Sequence, residues 1–578
     1  FNEDQRAWLA GFLAGMNSRI LSEKDAAPQA SAVRTPIDIL YGTQTGNAEG
    51  LAELAAEQFS GLGFAPRTHE LDAVEMDTRA HMRQASFVGS TYGEGEMPDN
   101  GELFWEQLSA STAPRLESLK YGVIALGDNS FEELCHAGKV IDTRLEQLGA
   151  ARLLERVDCD VDFEDPSEQW LTKAQELFEL EDNPQGADLA IPAAPAKPAV
   201  KKSQWTRKNP YEAKLIENRL LSRDGSGKEI RHIAFDLGDS GIEYATGDAL
   251  GVMPTNSPDL VTALLERLGA SADQTIAGHE APLGELLARQ FEIRTPSREL
   301  LKAIEPLVGH DELTHVLTHQ DKEALDAFLW GKDVLDLLNL NPDVAFDAGE
   351  FLSWSKPLQH RAYSISSCPM AHPGEVHLTV AAVRWSGHAN GKGREHQGVA
   401  SCFLADQCGE GKSAPVFVSP NKNFRVPTDG DAPMIMVGPG TGIAPFRAFL
   451  EERRERGDAG KNWLFFGDQH RAHDFIYDDE ISAASQSGLL TRLDLAFSRD
   501  QAEKIYVQTR MRENAKELFG WLEEGGYFYV CGDATRMAKD VDSALHEIIA
   551  AEGGLSEEQA SEYVANLKRE KRYVRDVY

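Results

Sequence analysis

Ile37-Asp38-Ile39-Leu40-Tyr41-Gly42-Thr43-Gln44-Thr45-Gly46-Asn47-Ala48-Glu49 decides the fold of the first half of the chain. A short apolar run reads as a buried strand, a loop of hydroxyls and glycine follows, and a helical pattern begins at Ala48. Backbone N–H groups and the helix dipole at such a junction favour a phosphate. The hydroxyl-rich loop, with little positive charge nearby, suits the dianionic phosphate of a mononucleotide. A second junction of the same kind lies far downstream. Met434-Ile435-Met436-Val437 leads into Gly438-Pro439-Gly440-Thr441-Gly442-Ile443-Ala444-Pro445-Phe446-Arg447, whose glycines suit a pyrophosphate. A chain with both loops can hold two nucleotide-type cofactors and pass something between them.

Outward from the first loop, strand-like runs at 37–40, 85–89, 122–126 and 152–157 alternate with helical patterns at 48–62, 101–108 and 138–148. That alternation predicts a doubly wound parallel sheet with ligand loops at the carboxyl ends of its strands. Two more loops fall at such ends: Ser90-Thr91-Tyr92-Gly93-Glu94-Gly95-Glu96 and Leu126-Gly127-Asp128-Asn129-Ser130-Phe131-Glu132. Each offers one aromatic in a flexible setting, so Tyr92 and Phe131 are candidates to sandwich a flat ring. Ordinary turn chemistry explains any one of these loops. Three in order at successive strand ends are not explained that way, and together they resemble the flavin-mononucleotide site of flavodoxins.

Beyond an Ala/Pro-rich stretch at 183–202, short antiparallel strands are predicted at 231–237, 248–252, 361–364, 376–384 and 414–418. The segment 259–352 between them is Leu-, Ala- and Glu-rich with helical spacing, which predicts a helical insertion within a β-barrel. From 432 to 578 strand and helix alternate again. The expected order is an amino-terminal helix at 1–20, an α/β domain at 35–182, a linker at 183–203, a barrel with its insertion at 204–430, and a second parallel α/β domain at 431–578.

Arg361-Ala362-Tyr363-Ser364 sets a cation, a ring and a hydroxyl on one strand segment, and Gly398-Val399-Ala400-Ser401 is a small-residue loop entering a helix. Ser498-Arg499 and Lys504-Ile505-Tyr506-Val507-Gln508 place a hydroxyl, two cations and a tyrosine at strand ends. A cationic pocket favours the 2′-phosphate of NADPH, where an NAD site usually presents a carboxylate.

Composition narrows the partners. The net charge is −35, and residues 35–180 carry 28 Asp and Glu against 10 Lys and Arg. That balance argues against nucleic acid or an anionic membrane and suits a docking face for a basic redox partner. Six scattered cysteines form no C-x-x-C pair, so free thiols in a reducing, cytoplasmic setting are expected, with no metal cluster carried by this chain. Phe1–Ile20 is too short and too interrupted to span a membrane, lacks the marks of a signal peptide, and reads as an amphipathic partner-binding helix.

These motifs, with Gly460-Lys461-Asn462-Trp463-Leu464-Phe465-Phe466-Gly467 and Lys571-Arg572-Tyr573-Val574-Arg575-Asp576-Val577-Tyr578, resemble those of the diflavin reductase family. R-x-Y-S and G-x-x-S are the FAD motifs of the ferredoxin–NADP reductase superfamily, and the first domain is similar to flavodoxins. The resemblance implies an α/β multidomain protein that moves electrons from NADPH to FAD to FMN and on, singly, to a partner. Within the family it points to members serving a sirohaem and iron–sulfur hemoprotein subunit that reduces sulfite to sulfide. A free-standing reductase for a haem-thiolate monooxygenase is the alternative, favoured by Tyr92.

The resemblance also implies roles. FMN is assigned Thr43 to Ala48, Ser90 to Gly93, Leu126 to Glu132, and Cys135. FAD is assigned Arg361 to Ser364, Thr379, Val380, Ala381, Trp385, Gly398 to Ser401, and Tyr578 over its ring. NADPH is assigned Gly440, Thr441, Arg447, Ser498, Arg499, Lys504 to Gln508, and Asp540. Ser364, Cys531 and Asp576 are assigned to hydride transfer, and the amino-terminal region to self-association. No metal ligands are expected.

Overall fold

The computed structural model describes residues 35–44, 46–74, 81–92, 95–128, 133–178, 203–319, 322–386 and 394–578. The expected amino-terminal helix and the 183–202 linker lie outside the described residues, as do Thr45, Gly93, Asn129, Ser130, Phe131 and Glu132. The chain divides into two compact units.

The first unit is a parallel sheet of β1 (Thr35–Gly42), β2 (Phe64–Glu70), β3 (Gln84–Ser90), β4 (Lys120–Leu126), β5 (Ala151–Arg152) and β6 (Val157–Cys159). The order is β2-β1-β3-β4-β5, with β6 also pairing β4, the arrangement of a flavodoxin-like sheet. Helices Asn47–Gly61 and Glu164–Leu177 cover one face through Leu51, Phe59, Trp170 and Leu171. Helices Glu102–Ser109 and His136–Gln147 cover the other through Phe104, Leu108, Ile141 and Leu145.

Two differences from the sequence reading have physical causes. β2 was not expected, because FAPRTHE is polar and contains Pro66; it occupies the sheet edge, where a missing N–H is tolerated. The single strand expected over 152–157 is two short ones, β5 and β6. Arg152 Nε (2.8 Å) and Arg156 Nη1 (2.6 Å) both reach the buried Asp142 carboxylate, and the residues between them leave the ladder.

The second unit opens with an antiparallel sheet of β7 (Tyr211–Leu220), β8 (Glu229–Asp236), β9 (Ala249–Val252), β10 (Arg361–Ser364), β11 (Glu375–Ala382) and, after the hairpin β12 (Arg384–Ser386) and β13 (Glu395–Gln397), β14 (Ser413–Ser419). Its order is β10-β9-β14-β7-β8-β11. An antiparallel bridge from Ile365 to Leu378 joins the end of β10 to β11, which closes the path into a barrel. β7, absent from the sequence reading, is central to that path. Between β9 and β10 runs a helical body from Pro258 to Trp354 with its own apolar core, including Leu264, Leu286, Ile304, Leu337 and Phe351.

The rest of the unit is a five-stranded parallel sheet of β15 (Met434–Val437), β16 (Asn462–Asp468), β17 (Arg492–Phe497), β18 (Tyr527–Gly532) and β19 (Tyr573–Val577). The order β17-β16-β15-β18-β19 puts the switch point beside β15, so the Gly438 loop opens where a nucleotide binds in such sheets. Among the described residues no helix is long and apolar enough to cross a membrane, and all six cysteines are buried and free of disulfides.

Candidate active site

In the first unit, β1, β3 and β4 end side by side, with Gly42 opposite Gly89 and Ser90 opposite Leu126. The loops that follow are held in shape by their own side chains. Thr43 Oγ1 accepts from Gly46 N (2.9 Å), Asn100 Oδ1 accepts from Thr43 N (2.7 Å), and Gln44 Oε1 accepts from Asp99 N (3.0 Å). Gly46 takes a left-handed conformation (φ 87°), a geometry that favours glycine, and turns the chain into the helix whose first amides have no intrahelical acceptor. Asn47 is exposed beside the buried Ala48. Ser90 Oγ donates to Gly42 O (3.1 Å), and Thr91 N donates to Leu126 O (2.9 Å). Tyr92 forms a two-way bridge with Glu96, Gly127 N donates to Cys159 O (2.9 Å), and Asp128 is half-buried.

In the second unit the barrel meets the parallel sheet at the end of β10. Ser364 Oγ, on β10, donates to Asp576 Oδ2 on β19 at 2.5 Å. Asp576 is the register partner of Cys531 on β18, and the Cys531 thiol lies 3.8 Å from the same oxygen. Complete burial, then the Asp576 charge, hold the Cys531 thiol well above its ordinary pKa, so it stays protonated. The glycine loop is pressed against this strand. A Cβ on Gly442 would lie 2.1 Å from the Cys531 carbonyl oxygen, so glycine is required there. Tyr578 is 60 % exposed; its backbone pairs with Gly532 and Ala534, and its hydroxyl meets Thr441 Oγ1 at 2.8 Å.

The cationic patch lies at the end of β17. Ser498 N and Arg499 N donate to Asp468 O and Gln469 O, each at 2.9 Å, and fix the loop. Arg499 and Lys504 are exposed and form no ion pair among the described residues. Tyr506 is 44 % exposed beside them, Ile505 is half-buried, Val507 is buried at the start of the helix Val507–Glu513, and Gln508 Nε2 donates to Asp540 Oδ2 (3.1 Å).

Three family models match the chain in series: flavodoxin over 39–170, FAD binding domain over 203–403, and oxidoreductase NAD-binding domain over 436–543. Over 590 aligned residues the chain is 42 % identical to the sulfite reductase (NADPH) flavoprotein alpha-component of Bacillus subtilis, covering all of this chain and 96 % of that one. The protein of the same description from Vibrio cholerae is 42 % identical, with 100 % and 94 % covered, and that of Zymomonas mobilis 39 %, with 99 % and 95 %. The chain belongs to the sulfite reductase flavoprotein alpha-component family.

Several residues that the sequence marked for ligands have other partners in this family member. The Cys135 thiol, pushed up to about 12 by burial, donates to the Ala125 and Cys159 carbonyls, so it faces the core. Thr379 Oγ1 meets Tyr477 Oη (2.8 Å), Val380 is buried, and Ala381 is half-buried, which leaves mainly their backbone for a ligand. Trp385 Nε1 donates to Gly331 O (3.0 Å), its ring stacks on His396, and Arg294 lies over it. Ser401 Oγ accepts from Val383 N (3.2 Å), and Gly398 N donates to Val383 O (2.8 Å), which shapes the turn ahead of the buried Ala400 and the half-buried Val399. Arg361 and Ala362 are exposed, and Tyr363 is half-buried.

Arg447 differs most from the sequence reading. Its guanidinium donates to Ser366 O in the barrel (2.7 Å) and to Glu480 (2.6 Å), and pairs with Glu451 (3.1 Å). It ties the two halves of this flavoprotein unit together. Glu451, Glu480 and Tyr477 escaped the sequence reading because they belong to no short motif. Their role depends on where distant strands bring Ser366 and Thr379.

Proposed function

We propose that this chain is the flavoprotein component of an NADPH-dependent sulfite reductase, an oxidoreductase that serves a sirohaem and iron–sulfur hemoprotein subunit reducing sulfite to sulfide. When bound, NADPH supplies a hydride, and FAD and FMN turn that electron pair into single electrons for the partner. The carrying observation is the meeting of Ser364, Asp576 and Cys531 under the loop that holds Tyr578 through Thr441.

The residues present fit these cofactors. Gly442 lets the glycine loop pack directly on the β18 backbone, and Arg499 and Lys504, exposed and without an ion pair among the described residues, are the proposed partners of a 2′-phosphate. In the first unit, Gly46 N is taken up by Thr43 Oγ1, so the Thr43 hydroxyl proton and the exposed Asn47 at the helix start are the proposed donors, with Ser90, Thr91, Tyr92, Leu126, Gly127 and Asp128 on the adjoining strand ends. Arg361, Tyr363 and Ser364, with the Gly398–Ser401 turn, are the proposed FAD contacts. Asp576 Oδ2 accepts a hydrogen bond from the Ser364 hydroxyl and lies beside the Cys531 S–H, which keeps a proton donor and a carboxylate fixed together next to the chain end that carries Tyr578. That ring is held by one side-chain hydrogen bond, a net contribution of about 1 kcal/mol, so an incoming nicotinamide can displace it at small cost.

The same reading places the protein in the cytoplasm, in the supply of reduced sulfur for cysteine biosynthesis, with the amino-terminal region mediating self-association. The 35–182, 204–430 and 431–578 boundaries are proposed as the FMN, FAD and NADPH domains. The test mixes the purified chain with the hemoprotein subunit and follows NADPH-dependent sulfide formation. Normal cytochrome c reduction without sulfide would sink the sulfite assignment in favour of a free-standing reductase.

A further inference from the structure

We propose that His372, Glu375 and His377 form a divalent-cation site, of zinc type, at the seam between the barrel and the parallel sheet. The loop His372-Pro373-Gly374 enters β11 at Glu375, so the strand's alternation places Glu375 and His377 on one face. One ligand atom from each of the three lies within 4.8 Å of the others. The two imidazole rings are 4.3 Å apart between centroids, and a His377 ring nitrogen meets the Glu375 carboxylate at 3.0 Å. Two imidazoles and one carboxylate make a zinc-type donor set, which leaves a position for water. Ligand atoms around tetrahedral zinc stand roughly 3.4 Å apart, so small side-chain rotations close the site.

Two further observations support it. His377 is 6 % exposed, and its Nδ1 is buried with no hydrogen-bond partner among the described residues, so its ring has unsatisfied capacity in the free protein. His372 Nε2 meets Glu451 Oε1 at 3.0 Å, and Glu451 is fixed in turn by Cys368 N (2.9 Å) and Arg447 (3.1 Å). A carboxylate on the outer side of a ligand histidine is the usual orienting partner in zinc sites. His372 also borders a cavity of about 470 Å³ that it lines with Ile443, Leu450 and Glu451. A second convergent cluster among the described residues, Asp333, Asp336 and His396, already holds the Arg394 guanidinium 2.5 Å from Asp333. A cation at His372 would brace the segment before β11 against Glu451 on the helix Ala444–Arg456, the element that also carries Arg447.

The flavin-loaded full chain, stripped with chelator and desalted, is titrated with Zn(II) by calorimetry, and bound zinc is counted after gel filtration. One zinc per chain is expected, and His372→Ala and Glu375→Gln should each weaken it roughly tenfold or more. Glu375 is 41 % exposed, so its amide variant keeps the fold, and flavin content checks this. Asp336→Asn should leave the titration unchanged. No saturable zinc in the unaltered chain overturns the proposal. So does unaltered affinity in both His372→Ala and Glu375→Gln, or a loss confined to Asp336→Asn.

Discussion

Tyr578 Oη and Thr441 Oγ1 stand 2.8 Å apart, so the ring beyond β19 is latched to the loop that follows β15 by one side-chain hydrogen bond. In the proposed function this ring must yield to nicotinamide. Tyr578→Ala should therefore raise NADH-supported turnover relative to NADPH on the order of tenfold, the equivalent of about 1.4 kcal/mol. Steady-state kinetics with both nucleotides checks this, and an unchanged preference removes the ring from that role.

Arg499 is exposed and forms no ion pair among the described residues, so its charge is available to a ligand phosphate. Arg499→Ala should lower kcat/KM for NADPH roughly ten- to a hundredfold, the size of a lost charged hydrogen bond, and leave NADH nearly unaffected. Equal losses for both nucleotides would show that the 2′-phosphate binds elsewhere.

Asp576→Asn keeps the shape of the side chain and removes the charge that Ser364 and Cys531 face. Flavin bleaching by NADPH in a stopped-flow instrument should slow on the order of a hundredfold. Nucleotide affinity should change little, which separates this cluster from the phosphate patch.

Gly442→Ala would put a Cβ 2.1 Å from the Cys531 carbonyl oxygen. Overpacking of this kind costs about 1–3 kcal/mol. A lower Tm for the variant is the expected readout; an unchanged Tm would mean that the loop and β18 separate freely.

Burial, with the Arg207 and Arg361 charges, lowers the His360 pKa from 6.5 to about 4 in the folded chain. Between those values the unfolded chain takes up a proton that the folded chain refuses, so stability falls as pH drops from 6.5 to 4. The slope from this one group is at most about 1.4 kcal/mol per pH unit. Urea midpoints across the window should decline less steeply for His360→Leu than for the unaltered chain.

The central strands β1, β3, β4, β15 and β18 were legible because each is a compact apolar run that ends at or beside a glycine. β2 and β7 were not, since FAPRTHE and YEAKLIENRL mix polar and apolar residues along strands whose identity comes from their neighbours. The site shows the same division. Loop positions such as Thr43, Gly440 and Ser498 announce themselves through turn chemistry. Glu451 stands four residues from Arg447 on the same helix, but the Ser366, Tyr477 and Gly331 partners of Arg447, Thr379 and Trp385 lie far away in sequence, and no local pattern encodes them.

Val252 on β9 lies opposite Arg361 on β10, so these neighbouring strands form a hairpin whose turn is the whole helical body from 258 to 354. A flexible connection of that length makes their pairing a slow, long-range event. A body with its own core brings its two ends together once it has folded. The position of Ser364 beside Asp576 therefore depends on a helical body that contains neither residue: loosening its core would loosen the register that carries Ser364 to Asp576.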